Sequence, residues 1–494
     1  MSHAGPTEPL ADARPAPALS RATVRWYALG QSGIGAKSSA KDFLVFFYTQ
    51  VIGLSGSLAG IAVLCTSIID ALSDPIVGAY SDRTQSRWGR RHPYMVAAVL
   101  PYALVFYLLW VPPMSLGQLG LFLWLMVTYA LLQLCLTVYH VPYLALGAEI
   151  SDDYDERTHI VMQRSVWDRI GRSIAGTLIL LVFFRATTEY PNGQLNPDAY
   201  PRFALLFAIL MPIVMFAAAW KTRDRIPHLR EDHPPAGVHP LRSMIRDMRD
   251  ALQYRAFRSI FAAHVAMNIG WGVTGMLGLH MMTYFWKVDT NMLFIWGVGM
   301  TAGVFVGLPF WARRATHIDK KATYMWGLTL YILFMATPCL LRAFGFWVAE
   351  GSTADIVLYV TLTGFVAHFG LCAGGVVTGS MLADIADLDE LTHGRRREGI
   401  FFGVESFGGK MLTGMGSVVA GFIIDLVGVA SLDPADATPE VGRNLGLAFG
   451  GAVFVFMCIA IVCISFYDLN HARHDRIRAE LFERRAADTE AFGK

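Results

Sequence analysis

The stretch Asp70-Ala-Leu-Ser73-Asp74-Pro75 sets two carboxylates and a hydroxyl at i, i+3 and i+4, on one face of a helix. The residues around it are apolar. A charge near the centre of a bilayer costs at least ~2.5–3.5 kcal/mol, so each of these needs a partner or a wet cavity. Counted back from Asp82 at 1.5 Å per residue, Asp70 lies about 18 Å deep. Carboxylate and hydroxyl oxygens suit a hard cation such as Na⁺, by the same oxygen preference that holds for Ca²⁺ and Mg²⁺. A proton shared between neighbouring carboxylates is the second chemistry open to the pair, and a structural ion pair with another helix is the plainest one.

Other polar groups fall at similar depth. Thr137 sits about 16 Å from Ala148, level with Asp70, although a membrane threonine more often bonds its own i−4 carbonyl. His140 follows one turn later, just before Pro142. Lys410 lies about 15 Å from Ile400, with Glu405 five positions earlier. Arg164, Asp168 and Arg172 form a stripe at i, i+4 and i+8, in which Arg164 can gate, touch substrate or simply snorkel to the surface. Lys37, Lys41 and Asp42 mix with Gly and Ser in the first apolar run. Gly403–Met411 has the look of a phosphate loop but the wrong glycine spacing, and Met411 in place of Ser/Thr. No zinc or nucleophile motif stands elsewhere, so no enzyme and no cofactor is expected.

These residues must be held by spans. Over 494 residues the chain is 54% apolar and 16% charged, with mean hydropathy +0.42, against about 25% charged in soluble domains. Twelve apolar runs of spanning length fall at 26–50, 54–82, 93–112, 118–148, 159–186, 202–220, 257–286, 291–312, 322–344, 354–385, 398–428 and 443–467. The expected architecture is an all-α membrane protein with twelve transmembrane helices in two six-helix bundles, 26–220 and 257–467. A linker at 221–256 joins them, and tails at 1–25 and 468–494 flank them. Repeated six-helix halves mark the major facilitator fold, although no similarity between the halves is readable in the residues. The six cysteines lie in apolar runs without CxxC spacing and read as small core residues. A net charge of +2 gives no global field for nucleic acid.

Arg83, Arg87, Arg90 and Arg91 fill the second loop. Nine basic residues from Lys221 to Arg258 crowd the linker and the start of the next run, and Arg313, Arg314, Lys320, Lys321 and Arg395–Arg397 follow in later loops. The alternate loops nearly lack Lys and Arg, so both termini are expected in the cytoplasm. The chain is then a multi-pass protein of the inner membrane, and a monomer is the expected working unit.

The segment DALSDPIVGAYSDRTQSRWGRRHPYM (70–95) resembles the second-helix signature of the glycoside–pentoside–hexuronide:cation symporters, the melibiose-permease family. VPYLALGAEISDDYDERT (141–158) and LADIADLDELTHGRRREGIFFGVESFGGK (382–410) are similar to two further blocks of that family. The resemblance implies that Asp70 and Asp74 are cation-site aspartates, with Thr137 as a hydroxyl ligand beside Ser73. It also matches Lys410 and Arg164 to family positions. Gly78, Asp82, Arg83, Gly89, Arg90 and Arg91 match the superfamily's cytoplasmic gating motif. The melibiose carrier's sugar-binding aspartates align with Ile34 and His140, and its span 10 tryptophan with Gly375, so galactoside specificity does not carry over.

The expected protein is a symporter coupled to Na⁺ or H⁺, with a sugar, glycoside or uronide as substrate and alternating access as mechanism. Substrate is expected near mid-membrane among Lys37, His140, Arg164, Glu405 and Lys410. Lys410 and Arg164 favour an anionic substrate unless Lys410 pairs internally with Asp70, Asp74 or Glu405. A lysophospholipid or other amphiphile is the alternative cargo, and a non-transporting sensor the alternative function.

Overall fold

The computed structural model describes residues 19–151, 153–228, 240–346, 351–394 and 397–492. Twelve helical segments stand where the apolar runs fall. Spans 1 to 6 are Arg21–Lys41, continued by Leu44–Phe46 and Phe47–Val51, then Gly56–Arg83, His92–Leu109, Gln118–Glu149, Tyr154–Leu178 with Ile179–Phe183, and Ala199–Lys221. Spans 7 to 12 are Arg255–His280 with Met281–Phe285, Thr290–Arg314, Lys320–Tyr331 continued to Ala343, Thr353–His393, Glu398–Val427 and Pro439–Ser465. By length and composition ten of these helices can cross a membrane among the described residues. Spans 1 and 5 are the exceptions, because Lys37, Lys41 and Asp42 and the Arg164–Arg172 stripe lower their hydropathy, although span 5 still exposes Val166, Ile170 and Ile174. The two pack against each other.

Helix ends follow local chemistry. Asp153 caps span 5, its carboxylate accepting from Glu156 N at 2.8 Å, and Ser352 with Asp355 forms a capping box at the start of span 10. Span 10 runs eight residues past the expected 385, to His393, where Gly394 adopts φ +70° and ends it. The linker is more structured than its prolines and arginines suggest, carrying a helix at Pro240–Ala251. Its segment 229–239 and Arg395 and Arg396 lie outside the described residues.

The two halves repeat each other in a way no residue pattern betrays. Span 1 ends with Ile52 N bonding Phe47 O and Leu54 N bonding Tyr48 O; span 7 ends with Trp286 N bonding Met281 O and Val288 N bonding Met282 O. Both pairs of bonds close the same wide final turn, 234 residues apart. Gln50 and Tyr284 occupy equivalent positions, and they bond each other at 2.7 Å, as residues beside a pseudo-two-fold axis must.

Hydrogen bonds between the halves gather at the end away from the termini. His280 lies 3.1 Å from Thr49, Gln194 donates to Thr283 at 3.2 Å, and Ser431 N bonds Thr49 O at 3.0 Å. There Asp425 of span 11 accepts from Ser55 Oγ, Gly56 N and Ser57 N at 2.7, 2.6 and 2.8 Å, satisfying amide donors that the start of span 2 leaves open. Spans 2 and 11 meet nearly backbone to backbone: a Cβ on Gly56 would lie 2.6 Å from the Gly421 carbonyl oxygen. Towards the terminal end they part.

Candidate cation site and central cavity

Asp70, Ser73 and Asp74 line one face of span 2, where Pro75 does not break the helix. Opposite them, Thr137 of span 4 is buried, with 3% of its surface exposed. Its Oγ1 lies 3.1 Å from Asp70 Oδ1 and 3.2 Å from Asp74 Oδ1. One hydroxyl proton serves both. Ser73 Oγ lies 3.3 Å from Thr137 and donates to the Asp70 carbonyl at 2.9 Å. The second oxygens of the two carboxylates face the other half of the molecule. Lys410 of span 11 reaches them there, 3.2 Å from Asp70 Oδ2 and in direct contact with Asp74 Oδ2. The internal pairing of Lys410 is therefore the one present, with the two aspartates rather than Glu405. With both carboxyls ionised, the cluster has two negative charges against one positive, a deficit of one.

The five residues expected to share the substrate each have partners of their own in this state. Lys37 is 6% exposed; its ammonium donates to the Gln133 amide oxygen and lies 5.9 Å from the Tyr129 ring centroid. It faces spans 3 and 4 within the first bundle, in a crevice shared with Phe106 and Trp110. Glu405 bonds His264 of span 7 at 3.1 Å. His140 stacks on Tyr143 at 6.1 Å, with Nε2 buried and without a partner, and Arg164 is within electrostatic reach of both His140 and Tyr27. His140 is within reach of Arg164, Lys410 and Lys37 alike, and Lys37 of Lys410, whereas Glu405 is engaged by His264. Spans 1 and 5 are tied by Gln31 donating to Asp168 at 3.0 Å and by Arg172 with Asp42 at 3.2 Å.

The loop motif forms a compact clamp. Arg91 contacts Asp82, bonds Glu149 at 2.8 Å and donates to Ser81 at 2.7 Å; Arg90 bonds Glu149 at 3.0 Å. Gly89 takes φ +69°, which glycine adopts at little cost. Gly78 packs near Val141, and Arg83 is exposed. All these links join spans 2, 3 and 4 inside one half. Asp82 pairs with Arg91, not with its neighbour Arg83, so in this state the motif ties spans 2 and 3 of its own bundle.

His264, Gln133 and Asp425 went unnoticed in the residue pattern. His264 alone offered a signal, as an ionisable group in an apolar run. The others are polar residues whose partners lie at least 96 positions away.

A cavity of about 340 Å³ separates spans 2 and 11 on the terminal side of the cluster, with Asp74, Lys410 and Ser406 in its walls. A Cβ on Gly375 would meet nothing within 4 Å, so the position where the melibiose carrier has tryptophan leaves space here.

Comparison with known proteins places this arrangement. Residues 26–471 match the family model described as MFS/sugar transport protein. The chain is 26% identical to the isoprimeverose transporter of Lactiplantibacillus pentosus, over 79% of this chain and 77% of that one. It is 24% identical to the glucuronide carrier protein homolog of Escherichia coli, over 94% and 96%. Among solved structures, a bacterial homolog of the lysosomal transporter Spinster shares the fold with a TM-score of 0.61 at 12% identity, over 94% of this chain and 99% of that one. With the family model spanning nearly all of both bundles, the chain belongs to the melibiose-permease-like symporters of the major facilitator superfamily, multi-pass membrane transporters of small molecules and coupling cations.

Proposed function

We propose that the protein carries a sugar, glycoside or uronide into the cell together with one monovalent cation, Na⁺ or H⁺, bound at Asp70 and Asp74. The observation that carries this reading is the charge of the cluster. Two carboxylates against one ammonium lack a single positive charge, which a monovalent ion supplies and a divalent ion overshoots. Lys410 already occupies the outer carboxylate oxygens, so an arriving cation competes with it. Displacing the ammonium loosens the link between spans 2 and 11. Ion occupancy is then coupled to the rocking of the halves that alternates access.

The basic loops support termini in the cytoplasm of a bacterial inner membrane. With that orientation the bonded end is extracytoplasmic and the cavity faces inward, the state from which cation and substrate leave. One chain supplies the whole cluster, in keeping with a working monomer. The relatives, an isoprimeverose transporter and a glucuronide carrier homolog, favour the sugar class.

A thermal-shift series on the purified carrier tests this. Methyl glucuronide or a pentose-containing disaccharide is expected to raise the melting temperature, and to raise it further with Na⁺ or at lower pH. Stabilisation by lysophosphatidylcholine but by no sugar overturns the substrate class.

A further inference from the structure

The linker helix Pro240–Ala251 lies beneath the ion cluster. Ala251 is fully buried, Met248 packs on the core, and the helix rests on the terminal ends of spans 2 and 11. Arg397 pins it, bonding Asp250 at 3.1 Å while its other nitrogens hold Asp389 of span 10 at 2.6 and 2.9 Å. Held there, the helix presents Met244 and Asp247 to the same cavity whose walls carry Asp74, Lys410 and Ser406. Asp247 is half-buried and has no ion-pair partner among the described residues. Its neighbour Asp250 is spent on Arg397. The other charges that bear on it are Arg246 and Asp250 on its own helix and Arg397 just before span 11.

We infer that Asp247 is a cation-release residue, a carboxylate supplied by the linker that receives the coupling ion as it leaves Asp70 and Asp74. The role rests on the function proposed above. An ion stepping out of the cluster gives up two carboxylates and faces Lys410, a like charge. Without a further oxygen ligand it must cross the cavity with water alone. A fixed carboxylate in the cavity offers the next oxygen ligand, and charge-lined clefts change ion encounter rates by about 10- to 1,000-fold. Because Asp247 helps the ion across in both directions, it sets how fast the site fills and empties rather than how tightly it holds.

Stopped-flow tryptophan fluorescence on the purified full-length carrier, after a Na⁺ jump and after a pH jump, separates rate from affinity. Asp247→Asn is expected to relax about tenfold more slowly, with the midpoint of the amplitude unchanged. Asp247→Glu restores the rate, and added choline chloride narrows the difference because a half-exposed charge is screened. Asp250→Asn reports on anchoring, and a slowing there that Asp247→Asn does not show assigns the cavity floor a packing role and overturns the inference. Unchanged relaxation in Asp247→Asn overturns it too, as does a shifted midpoint at unchanged rate. Asp74→Asn keeps the two readings apart: if it relaxes like the wild type, the ion site itself is misplaced.

Discussion

At the scale of single residues, the i, i+4 pair of aspartates in an apolar run was readable because such a pair is tolerable in a membrane only beside a partner or a wet cavity. Their counter-charge was not. Lys410 could meet Asp70, Asp74 or Glu405, and only the close approach of spans 2 and 11 selects the first two while His264 takes the third. Asp74→Asn removes one ligand charge, so added Na⁺ or H⁺ should no longer stabilise the purified carrier, while membrane insertion stays intact; a preserved cation-dependent shift would contradict the site. With Lys410 engaged, Arg164, beside His140 and Tyr27, is a positive charge open to a uronide carboxylate. A hydrogen bond to a charged group contributes about 1.5–3 kcal/mol. Arg164→Gln should therefore weaken methyl glucuronide binding at least tenfold and leave methyl glucoside almost unchanged. Equal weakening of both, read by titration calorimetry, would move the carboxylate elsewhere.

Among elements, the positions of the spans were legible from hydropathy, but their polarity misled in one respect. Spans 1 and 5 lack the apolar character of the other ten, and they are kept in place by Gln31–Asp168 and Arg172–Asp42 instead. The equivalence of spans 1 and 7 lives in backbone hydrogen bonds, which side-chain identity scarcely constrains. The interlock of spans 2 and 11 depends on glycines and on one carboxylate, Asp425, that reads as an ordinary helix-end residue. Asp425→Ala removes three hydrogen bonds across the halves. Exposure to solvent limits their worth to about 1 kcal/mol, enough for a roughly fivefold shift towards the outward-facing state. Labelling of a cysteine placed at Ser57 should rise accordingly, and equal labelling would deny the carboxylate a latching role. Asp82→Asn acts elsewhere. Because Asp82 and Arg91 belong to one bundle, its loss should lower the melting temperature, without changing which face of the cavity is labelled. A change in labelling with no loss of stability would restore the motif to a gate between halves.

For the molecule as a whole, composition alone disclosed a polytopic membrane protein, and the bias of arginines carries the orientation proposed for it. Which way the cavity faces was beyond the residues, since both states share one sequence and differ by which end the halves bond. The bonds near Thr49, Gln194 and Asp425 and the cavity beside Asp74 describe a carrier closed at the end away from the termini and open towards them, which is inward-facing in the proposed orientation. The central claim is that a single monovalent cation drives accumulation through that site. Purified carrier in proteoliposomes, given labelled methyl glucuronide and a tenfold inward gradient of Na⁺ or of H⁺, measures it directly. One-to-one coupling makes a tenfold ion gradient worth about 1.4 kcal/mol, so the internal concentration should rise to about ten times the external one and fall back when an ionophore collapses the gradient. Uptake that stops at equal concentrations under both gradients would contradict the account.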